Sequence, residues 1–355
     1  MGLPEIIIEF RHKASTAIAR SERGIVAVIL RDDTKGATQY TYRKLSEVDF
    51  SQWSERNYEY LKLIFEGGPY KVIALRIAAD AADYSAPLGT LKNLKWNYLT
   101  IPGIEPTDTA TITSWIKERR DAGKDKKTFK AVLPNCAADH EGIINLTTTS
   151  ITSTLSESPF TAAEYCARIA GVLAGLPLTR SSTYYVLEDI VDCAVPSDPD
   201  DRIDGGELVI VFDSEKYKIG RGVNSLTTIS DGKTADMKKI KIIEGMDLYN
   251  DDICTTFADN YVGKRINDYD SKQAFVAAIL AYQKGITGDV LDSSYDNTVS
   301  IDLDAQRAYL DGKGIDTADM DDVAIARANT GSKVFVASDI KFVDAMEDLH
   351  LTTNM

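Results

Sequence analysis

Cysteine and histidine are scarce in this chain, with four and three residues respectively among 355. The four cysteines are widely separated and form no C-x-x-C pair: Cys136, Cys166, Cys193 and Cys254. None of the three histidines takes part in an H-E-x-x-H motif. These absences disfavour a disulfide framework, a zinc ribbon and a histidine-based metal site, so we expect reduced, buried thiols and no metal or other cofactor.

Long apolar runs and an excess of positive charge are also missing. The longest apolar run, residues 24–30, is too short to cross a bilayer. The first residues show no signal-peptide pattern, and Ile6 stands where a myristoylation signal has Ser or Thr. The 54 acidic and 40 basic residues give a formal charge of −14, which disfavours a nucleic-acid binder. We therefore expect a chain that is made in the cytosol and neither binds nucleic acid nor inserts into a membrane.

The composition is that of a globular protein, with 44% hydrophobic and 26% charged residues. The length suffices for one large or two to three ordinary domains. Short β-branched runs alternate with segments of helical periodicity, which predicts an α/β (α+β) fold with mostly buried strands. The clearest elements are a buried strand at 24–30, a helix at 53–65, a strand at 71–76, a helix capped by Thr161 and Glu164, a hairpin around Asp213 and a helix at 271–283. We expect a polar linker at 148–158 and strands at 334–337 and 340–343.

The most enzyme-like stretch is the turn of residues 220–225, Gly-Arg-Gly-Val-Asn-Ser. Gly220 and Gly222 are spaced to cradle an anion, with Arg221 as a bidentate clamp. The stretch lacks the third glycine of a dinucleotide fingerprint and the Lys-Ser/Thr of a P-loop. We therefore favour a structural turn, in which the glycines adopt conformations barred to larger residues, Asn224 bonds its own turn and Arg221 forms a salt bridge. The alternative is a cytosolic α/β enzyme that binds a phosphate-containing ligand between Gly220 and Ser225.

Two further polar clusters carry weaker signals. Asp139, His140 and Glu141 include a base and carboxylates, but adjacent residues on a loop point apart, so we expect a solvated loop. The acidic runs at 198–204 and 316–322 lack the glycine and terminal glutamate of an EF-hand loop, which favours solvated faces over calcium sites. The sequence thus contains no convincing catalytic constellation.

Both ends of the chain show a strand pattern with no obvious local partner. The apolar residues that alternate with polar ones near the termini are Ile6, Ile8 and Phe10, and Phe342, Leu349 and Leu351. Strand ends without a partner in the same chain tend to pair with neighbouring subunits by β-augmentation. We predict that these six residues are the pairing anchors.

Five segments, in order along the whole chain, resemble the tail sheath proteins of contractile phage tails. They are Gly-Leu-Pro at 2–4 followed by Ile6 and Ile8, EYCARIAG at 164–171, GRGVNSL at 220–226, KIKIIEGMD at 239–247 and DAMEDL at 344–349. The resemblance is closest to the compact sheaths of Gram-positive myophages, defective prophages and R-type bacteriocins. The resemblance rests on the five motifs together, in the same order along the chain.

The resemblance implies a structural subunit without catalytic residues. Such subunits stack as hexameric rings around a tail tube, and the sheath contracts to drive the tube through the target cell envelope. The implied partners are further copies of the chain, the tail tube protein, and the baseplate and tail terminator proteins. The implied location is a phage or bacteriocin particle assembled in the bacterial cytoplasm.

The resemblance also implies a domain organisation. Residues 1–20 would be an arm that donates a strand to a neighbour, 21–237 an outer α/β body, and 238–355 an inner, tube-facing domain with a terminal arm at 339–355. A helix shortly before the last strands attaches the sheath to the tube in this family. The best candidates for that surface are Met320, Asp321, Asp322, Ile325 and Arg327, and residues 305–310 are the second choice.

Overall fold

The computed structural model describes residues 22–121, 127–230 and 232–355, which fall into two compact units. The larger unit comprises Glu22–Leu248 and Asp344–Met355, and the smaller unit contains Tyr249–Val343. The chain passes from the larger to the smaller unit within one long helix, a few residues beyond the 237/238 boundary expected from the sequence. The three-part assembly division at 1–20, 21–237 and 238–355 remains a prediction.

Strands and helices alternate through the larger unit. Its elements are β1 (Ile25–Arg31), β2 (Gln39–Tyr42), α1 (Glu55–Glu66), β3 (Lys71–Ile77), α2 (Ser85–Leu91), β4 (Tyr98–Thr100), α3 (Pro106–Asp121), β5 (Lys130–Pro134), β6 (Ile143–Leu146), β7 (Thr152–Ser153), α4 (Ala162–Gly175), β8 (Ile190–Asp192), α5 (Pro199–Asp204), β9 (Glu207–Leu208), β10 (Ile210–Phe212), β11 (Tyr217–Ile219) and the first part of α6 (Ile240–Asn260). Short 3-10 turns lie at Leu45–Glu47, Phe50–Gln52 and Ala235–Lys238. This alternation confirms the predicted α/β fold.

A seven-stranded sheet, in the order β2-β3-β1-β4-β5-β6-β9, forms the centre of the larger unit. All neighbouring strands are parallel except β2, which runs antiparallel to β3. Alternate residues of β1 enter opposite cores: Val26 packs in the cluster that includes α1 and α4, whereas Ile25 packs in the cluster that includes α2 and α3. Helices on both faces explain why β1 is a continuous apolar run, as in other parallel sheets.

Helices α1 and α4 approach each other backbone to backbone. A Cβ atom added to Gly171 of α4 would lie 2.1 Å from the carbonyl oxygen of Ile64 in α1, and one added to Gly67 would lie 2.0 Å from the carbonyl carbon of Gly171. The capping box predicted at the start of α4 is present, because the Thr161 hydroxyl accepts from the Glu164 amide and the Glu164 carboxylate accepts from the Thr161 amide. Glycine at the contact lets the two helices pack more closely than any side chain would allow.

The smaller unit contains the rest of α6, α7 (Tyr269–Ile286), β12 (Thr298–Ile301), α8 (Leu303–Asp311), α9 (Asp322–Arg327) and β13 (Val336–Asp339). β12 and β13 form an antiparallel pair, and Tyr261, Phe275 and Ile279 form an aromatic-rich core from α7 and the residue that follows α6. The predicted helix at 271–283 is confirmed by α7. The predicted strand at 334–337 lies two residues later, as β13, and residues 340–343 contain a single bridge at Phe342 in place of a strand.

The polar linker expected at residues 148–158 is wrong. Thr148, Ile151 and Ser153 are buried, and β7 pairs with β8. The hydroxyls have structural partners: Thr148 accepts a 2.9 Å hydrogen bond from the Ile210 amide, and Ser153 donates a 3.1 Å bond to the Asp189 carboxylate. Composition alone does not distinguish a solvated hydroxyl from one that satisfies a buried backbone group.

Candidate functional site

The turn of residues 220–225 is held by the backbone around it. The amides of Gly220, Asn224 and Ser225 donate to the carbonyls of Val209, Lys238 and Ile143 at 2.8, 2.9 and 2.8 Å. The Gly222 amide donates to the Thr183 hydroxyl at 2.9 Å. A phosphate cradle needs free amides that converge on the anion, and these amides already have protein acceptors.

Two of the three expectations for this turn are confirmed. The Asn224 side chain accepts from the Leu226 amide at 3.0 Å, and Arg221 forms a salt bridge. The expected backbone role of the glycines is wrong, because neither Gly220 nor Gly222 has a positive φ. The reason for glycine at 222 is space, since a Cβ there would lie 2.4 Å from the Ser182 hydroxyl oxygen.

The anion beside Arg221 comes from the C-terminal tail, which we define as residues 344–355. The Arg221 guanidinium lies 2.6 Å from the Asp348 carboxylate and 3.7 Å from that of Glu347. Lys239 pairs with Asp344 and lies 3.3 Å from Glu347. Burial opposes the charged ammonium of Lys239, but its hydrogen bond to Asp344 and the charge of Glu347 outweigh burial and raise its pKa. The tail is therefore tied to the larger unit by charge.

Beyond these contacts the tail is exposed. Leu349 and Leu351 are 85% and 79% exposed, and residues 344–355 adopt no regular secondary structure. The strand pattern expected there is not realised within the chain, because a strand requires a hydrogen-bonded partner. Ile6, Ile8 and Phe10, the predicted anchors at the other end, lie outside the described residues.

The remaining predicted anchor, Phe342, packs within the smaller unit. Its backbone bridges to Leu291, and its ring meets Tyr249 edge-on at 6.4 Å between centroids. Among the described residues, β12 and β13 pair with each other and with no further strand. A two-stranded sheet with both outer edges open has room for strands from elsewhere.

The predicted tube-facing residues cluster around the short helix α9. Asp321 caps its N-terminus by accepting from the Ala324 amide at 2.7 Å, and Asp322 is exposed. Ile325 is fully buried, and Arg327 stacks over the Tyr269 ring. Met320 is half-buried. Of this set, the charged residues Asp321, Asp322 and Arg327 are exposed.

A buried ionic cluster, which the sequence analysis missed, ties the first half of α6 to the central sheet. Lys130 at the start of β5 is 1% exposed and lies 2.9 Å from Glu244 and 2.5 Å from Asp247. Arg23 and Tyr98 contact Glu244 at 2.5 and 2.6 Å. Because more than 100 residues separate Lys130 from its partners, no local sequence motif indicates the cluster.

Next to this cluster, His140 and Glu141 are buried, so the solvated loop expected for them is wrong. Donor atoms of Asp121, His140 and Glu141 lie within 4.8 Å of one another, as in a metal site. Lys233 and Arg120, however, lie 3.0 and 3.8 Å from Glu141 and already supply positive charge there. Burial lowers the pKa of His140, against the opposing charges of Glu141 and Asp121. The arrangement is better suited to holding the loop than to binding a cation.

Comparison with known proteins gives a consistent result along the chain. The family model described as phage tail sheath protein central domain matches residues 78–225, and the one described as phage tail sheath C-terminal domain matches residues 232–355. The tail sheath protein of Clostridium phage phiCD119 is 36% identical, with 100% of this chain and 99% of that protein covered.

Solved structures share the fold at low sequence identity. A sheath tail protein from Desulfitobacterium hafniense has a TM-score of 0.67 at 17% identity, with 84% of this chain and 94% of that chain covered. The contracted helical sheath of the anti-feeding prophage has a TM-score of 0.69 at 15% identity, with 100% of this chain and 99% of that chain covered.

The fold is therefore that of the contractile sheath proteins. The full-length relative and the two domain matches show further that the chain belongs to the phage tail sheath family, and that it is a structural sheath protein. No helix in the described residues combines the length and the hydropathy needed to span a bilayer. The phosphate-binding enzyme, our alternative interpretation of the 220–225 turn, receives no support.

Proposed function

We propose that this chain polymerises as stacked hexameric rings around a tail tube, and that the sheath contracts to drive the tube through a target cell envelope. It acts without catalysis or a cofactor. Its partners are copies of itself, the tail tube protein, and the baseplate and tail terminator proteins. The assembled particle is a phage or bacteriocin tail, built in the bacterial cytoplasm.

The observation that carries this proposal is that one chain has both an exposed apolar tail and a two-stranded sheet whose outer edges have no strand partner within the described part of the chain. Leu349 and Leu351 are almost fully exposed, although burying a leucine is worth about 1.5–3 kcal/mol. The outer edges of β12 and β13 offer backbone donors and acceptors to an added strand. Strands exchanged in both directions would link each copy to its neighbours through main-chain hydrogen bonds, each worth about 0.5–1.5 kcal/mol net.

The same reasoning assigns roles to the predicted residues. Ile6, Ile8 and Phe10 would pair from one end of the chain, and Leu349 and Leu351 from the other, with Phe342 at the base of the second arm. Residues 1–20 and 339–355 would be the arms, 21–237 the outer body and 238–355 the inner domain. Hydrogen bonds of a shared sheet survive large rotations of the bodies that they connect, which suits a contracting assembly.

The tube-facing surface in this proposal is the acidic face of α9. Residues 301–355 contain 11 acidic and 5 basic residues, so a basic surface on the tube would complement them. Asp321, Asp322 and Arg327 would make the polar contacts and Met320 an apolar one, with Ile325 holding the helix in place from the core.

Negative-stain electron microscopy of the purified chain at high concentration tests the proposal. We expect rings or tubes of regular width, and we expect isothermal titration with ATP or NAD to show no binding. A chain that stays monomeric at all concentrations and binds a nucleotide, with loss of binding in Arg221→Ala, would overturn the proposal in favour of the enzyme.

A further inference from the structure

We propose that Ser181, Thr183, Arg221 and Lys239 form a carboxylate receptor, here called the tail pocket, whose ligand in the free subunit is the chain's own Glu347. The tail pocket fixes the base of the C-terminal tail on the larger unit and leaves residues 349–355 as a short projecting end. Within the turn that the sequence marked as a possible phosphate site, Arg221 thus contacts an anion, and that anion is an acidic segment of the protein itself.

Glu347 has a buried side chain although the tail around it is exposed. Its side chain is 5% exposed, although it lies between two highly exposed residues, Met346 at 104% and Leu349 at 85%. A carboxylate is costly to remove from water unless its charge and lone pairs are satisfied. A glutamate buried in an otherwise exposed segment therefore marks a specific contact.

The tail pocket offers hydrogen bonds to one carboxylate oxygen of Glu347 and positive charge to the other. Glu347 Oε1 accepts hydrogen bonds from the hydroxyls of Thr183 and Ser181 at 2.6 and 3.0 Å. Its Oε2 faces two cations, with Lys239 Nζ at 3.3 Å and Arg221 Nε at 3.7 Å. Hydrogen bonds to a charged group are stronger than neutral ones, which compensates for its desolvation.

The tail pocket is also rigidly built. Thr183 Oγ1 accepts from the Gly222 amide at 2.9 Å, and the Ile240 amide donates to the Gly222 carbonyl at 2.9 Å. These bonds connect the segment before β8, the 220–225 turn and the start of α6. The Thr183 hydroxyl and the backbone segments that carry Arg221 and Lys239 are therefore positioned before the tail arrives, which limits the entropy lost in ordering the site.

Flanking carboxylates reinforce the contact on either side of Glu347. Asp344 pairs with Lys239, and Asp348 lies 2.6 Å from Arg221. Three acids of the tail thus share two cations of the larger unit. Replacing one of these two cations would therefore weaken the contact, and the other cation would keep part of it.

Docking of Glu347 limits how far the exposed end of the tail can reach, which matters if the chain assembles as proposed. At about 3.4 Å per extended residue, the eight residues that follow an anchored Glu347 reach about 27 Å, whereas the twelve residues of the whole released tail would reach about 41 Å. The shorter tether confines Leu349 and Leu351 to the surface of a near neighbour and raises their effective concentration there.

Proteolysis of the dilute, free subunit tests the tail pocket independently of assembly. A glutamate-specific endoprotease must take the Glu347 side chain into its own specificity pocket, so release of the peptide 348–355, measured by mass spectrometry, reports the population of undocked tail. We expect about tenfold faster release in Arg221→Ala and in Lys239→Met, which keeps the aliphatic stem. The matched control is Arg202→Ala, which removes a cation paired with Glu207 at 2.7 Å elsewhere in the same unit.

The outcomes separate the alternatives. Slow release in the wild type and in Arg202→Ala, with fast release in both pocket variants and unchanged circular dichroism, supports the proposal. Equal release rates in all four proteins would overturn it. Protection that disappears when the wild type is diluted would also overturn it, because the ligand would then be Glu347 of another copy. None of these results depends on whether the chain forms sheaths.

Discussion

The ammonium of Lys130 lies 2.9 Å from the carboxylate of Glu244, in a position where Lys130 is 1% exposed. Burial alone would raise the pKa of Glu244, but the charges of Lys130 and Arg23 outweigh burial and hold it well below its usual range. The pair fixes the start of α6 on the central sheet, so the larger unit depends on Glu244 remaining ionised.

Glu244→Gln therefore lowers the stability of the larger unit in a pH-dependent way. A carboxylate whose pKa is depressed by folding contributes stability above its unfolded pKa, near 4.3, and loses it as the pH falls towards the folded pKa. We expect a cost of about 3–5 kcal/mol at pH 7, as for a broken buried ion pair, and a smaller difference from wild type below about pH 4. Urea unfolding at several pH values measures this.

The matched control for that experiment is Glu188→Gln. Glu188 is 74% exposed and lies 3.9 Å from Lys216, so its loss should cost about 0–1 kcal/mol at any pH. If Glu244→Gln behaved like this control, the buried cluster would not hold α6.

Gly171→Ala separates the two helices that pack backbone to backbone. The added methyl would lie 2.1 Å from the Ile64 carbonyl oxygen, which forces α1 and α4 apart. We expect the free energy of unfolding, measured by chemical denaturation, to fall by about 1–3 kcal/mol. Gly89→Ala in α2, where nothing lies within 4 Å of the new methyl, should instead be stabilising by about 0.5–1 kcal/mol. Equal effects at the two sites would mean that the close contact does not matter.

Replacing Leu349 and Leu351 together by serine should abolish polymers and leave the fold intact. Both side chains are exposed in the free subunit, so the free energy of unfolding should change by no more than about 0.5 kcal/mol. The melting temperature should therefore stay close to that of the wild type. Sedimentation at high concentration should show monomers. Met346→Ser alters a fully exposed apolar residue of the same tail outside the proposed anchors, and it should polymerise normally. Long polymers from the double variant would remove these leucines from the interface.

Charge reversal on α9 tests the tube-facing surface. Asp322→Lys is a cleaner change than Asp321→Lys, because Asp321 caps the helix and its loss costs about 0.5–2 kcal/mol. We expect Asp322→Lys to weaken co-assembly with the tube protein most strongly at low salt. Asp304→Lys makes the same change in the first turn of α8 and should have little effect. A strong effect of Asp304→Lys together with a weak effect of Asp322→Lys would instead place the tube contact near residues 305–310.

Local patterns were enough to predict most elements of the larger unit. The apolar run at 24–30, the Thr161 and Glu164 capping pair and the polar turn at Asp213 each act through near neighbours, and β1, α4 and the β10–β11 hairpin confirm them. The strand expected at 340–343 failed because pairing depends on a partner elsewhere in space. Its neighbour, the segment at 290–292, bonds to Lys341 and Val343 without a regular ladder.

The candidate site was only partly predictable. Arg221 could be identified as a charged residue in a constrained turn, but its partner Asp348 lies 127 residues away. The hydroxyls of Ser181 and Thr183 carry no motif, and the burial of Glu347 is visible only in three dimensions. Sequence reasoning therefore found Arg221, but neither the other receptor groups nor the carboxylates that Arg221 contacts.

Deletion of residues 1–12 tests the central claim most directly. If exchanged terminal strands make the sheath, the shortened chain stays folded by circular dichroism and monomeric in analytical ultracentrifugation at concentrations where the full chain polymerises. Long sheaths or tubes formed by the shortened chain would contradict the account.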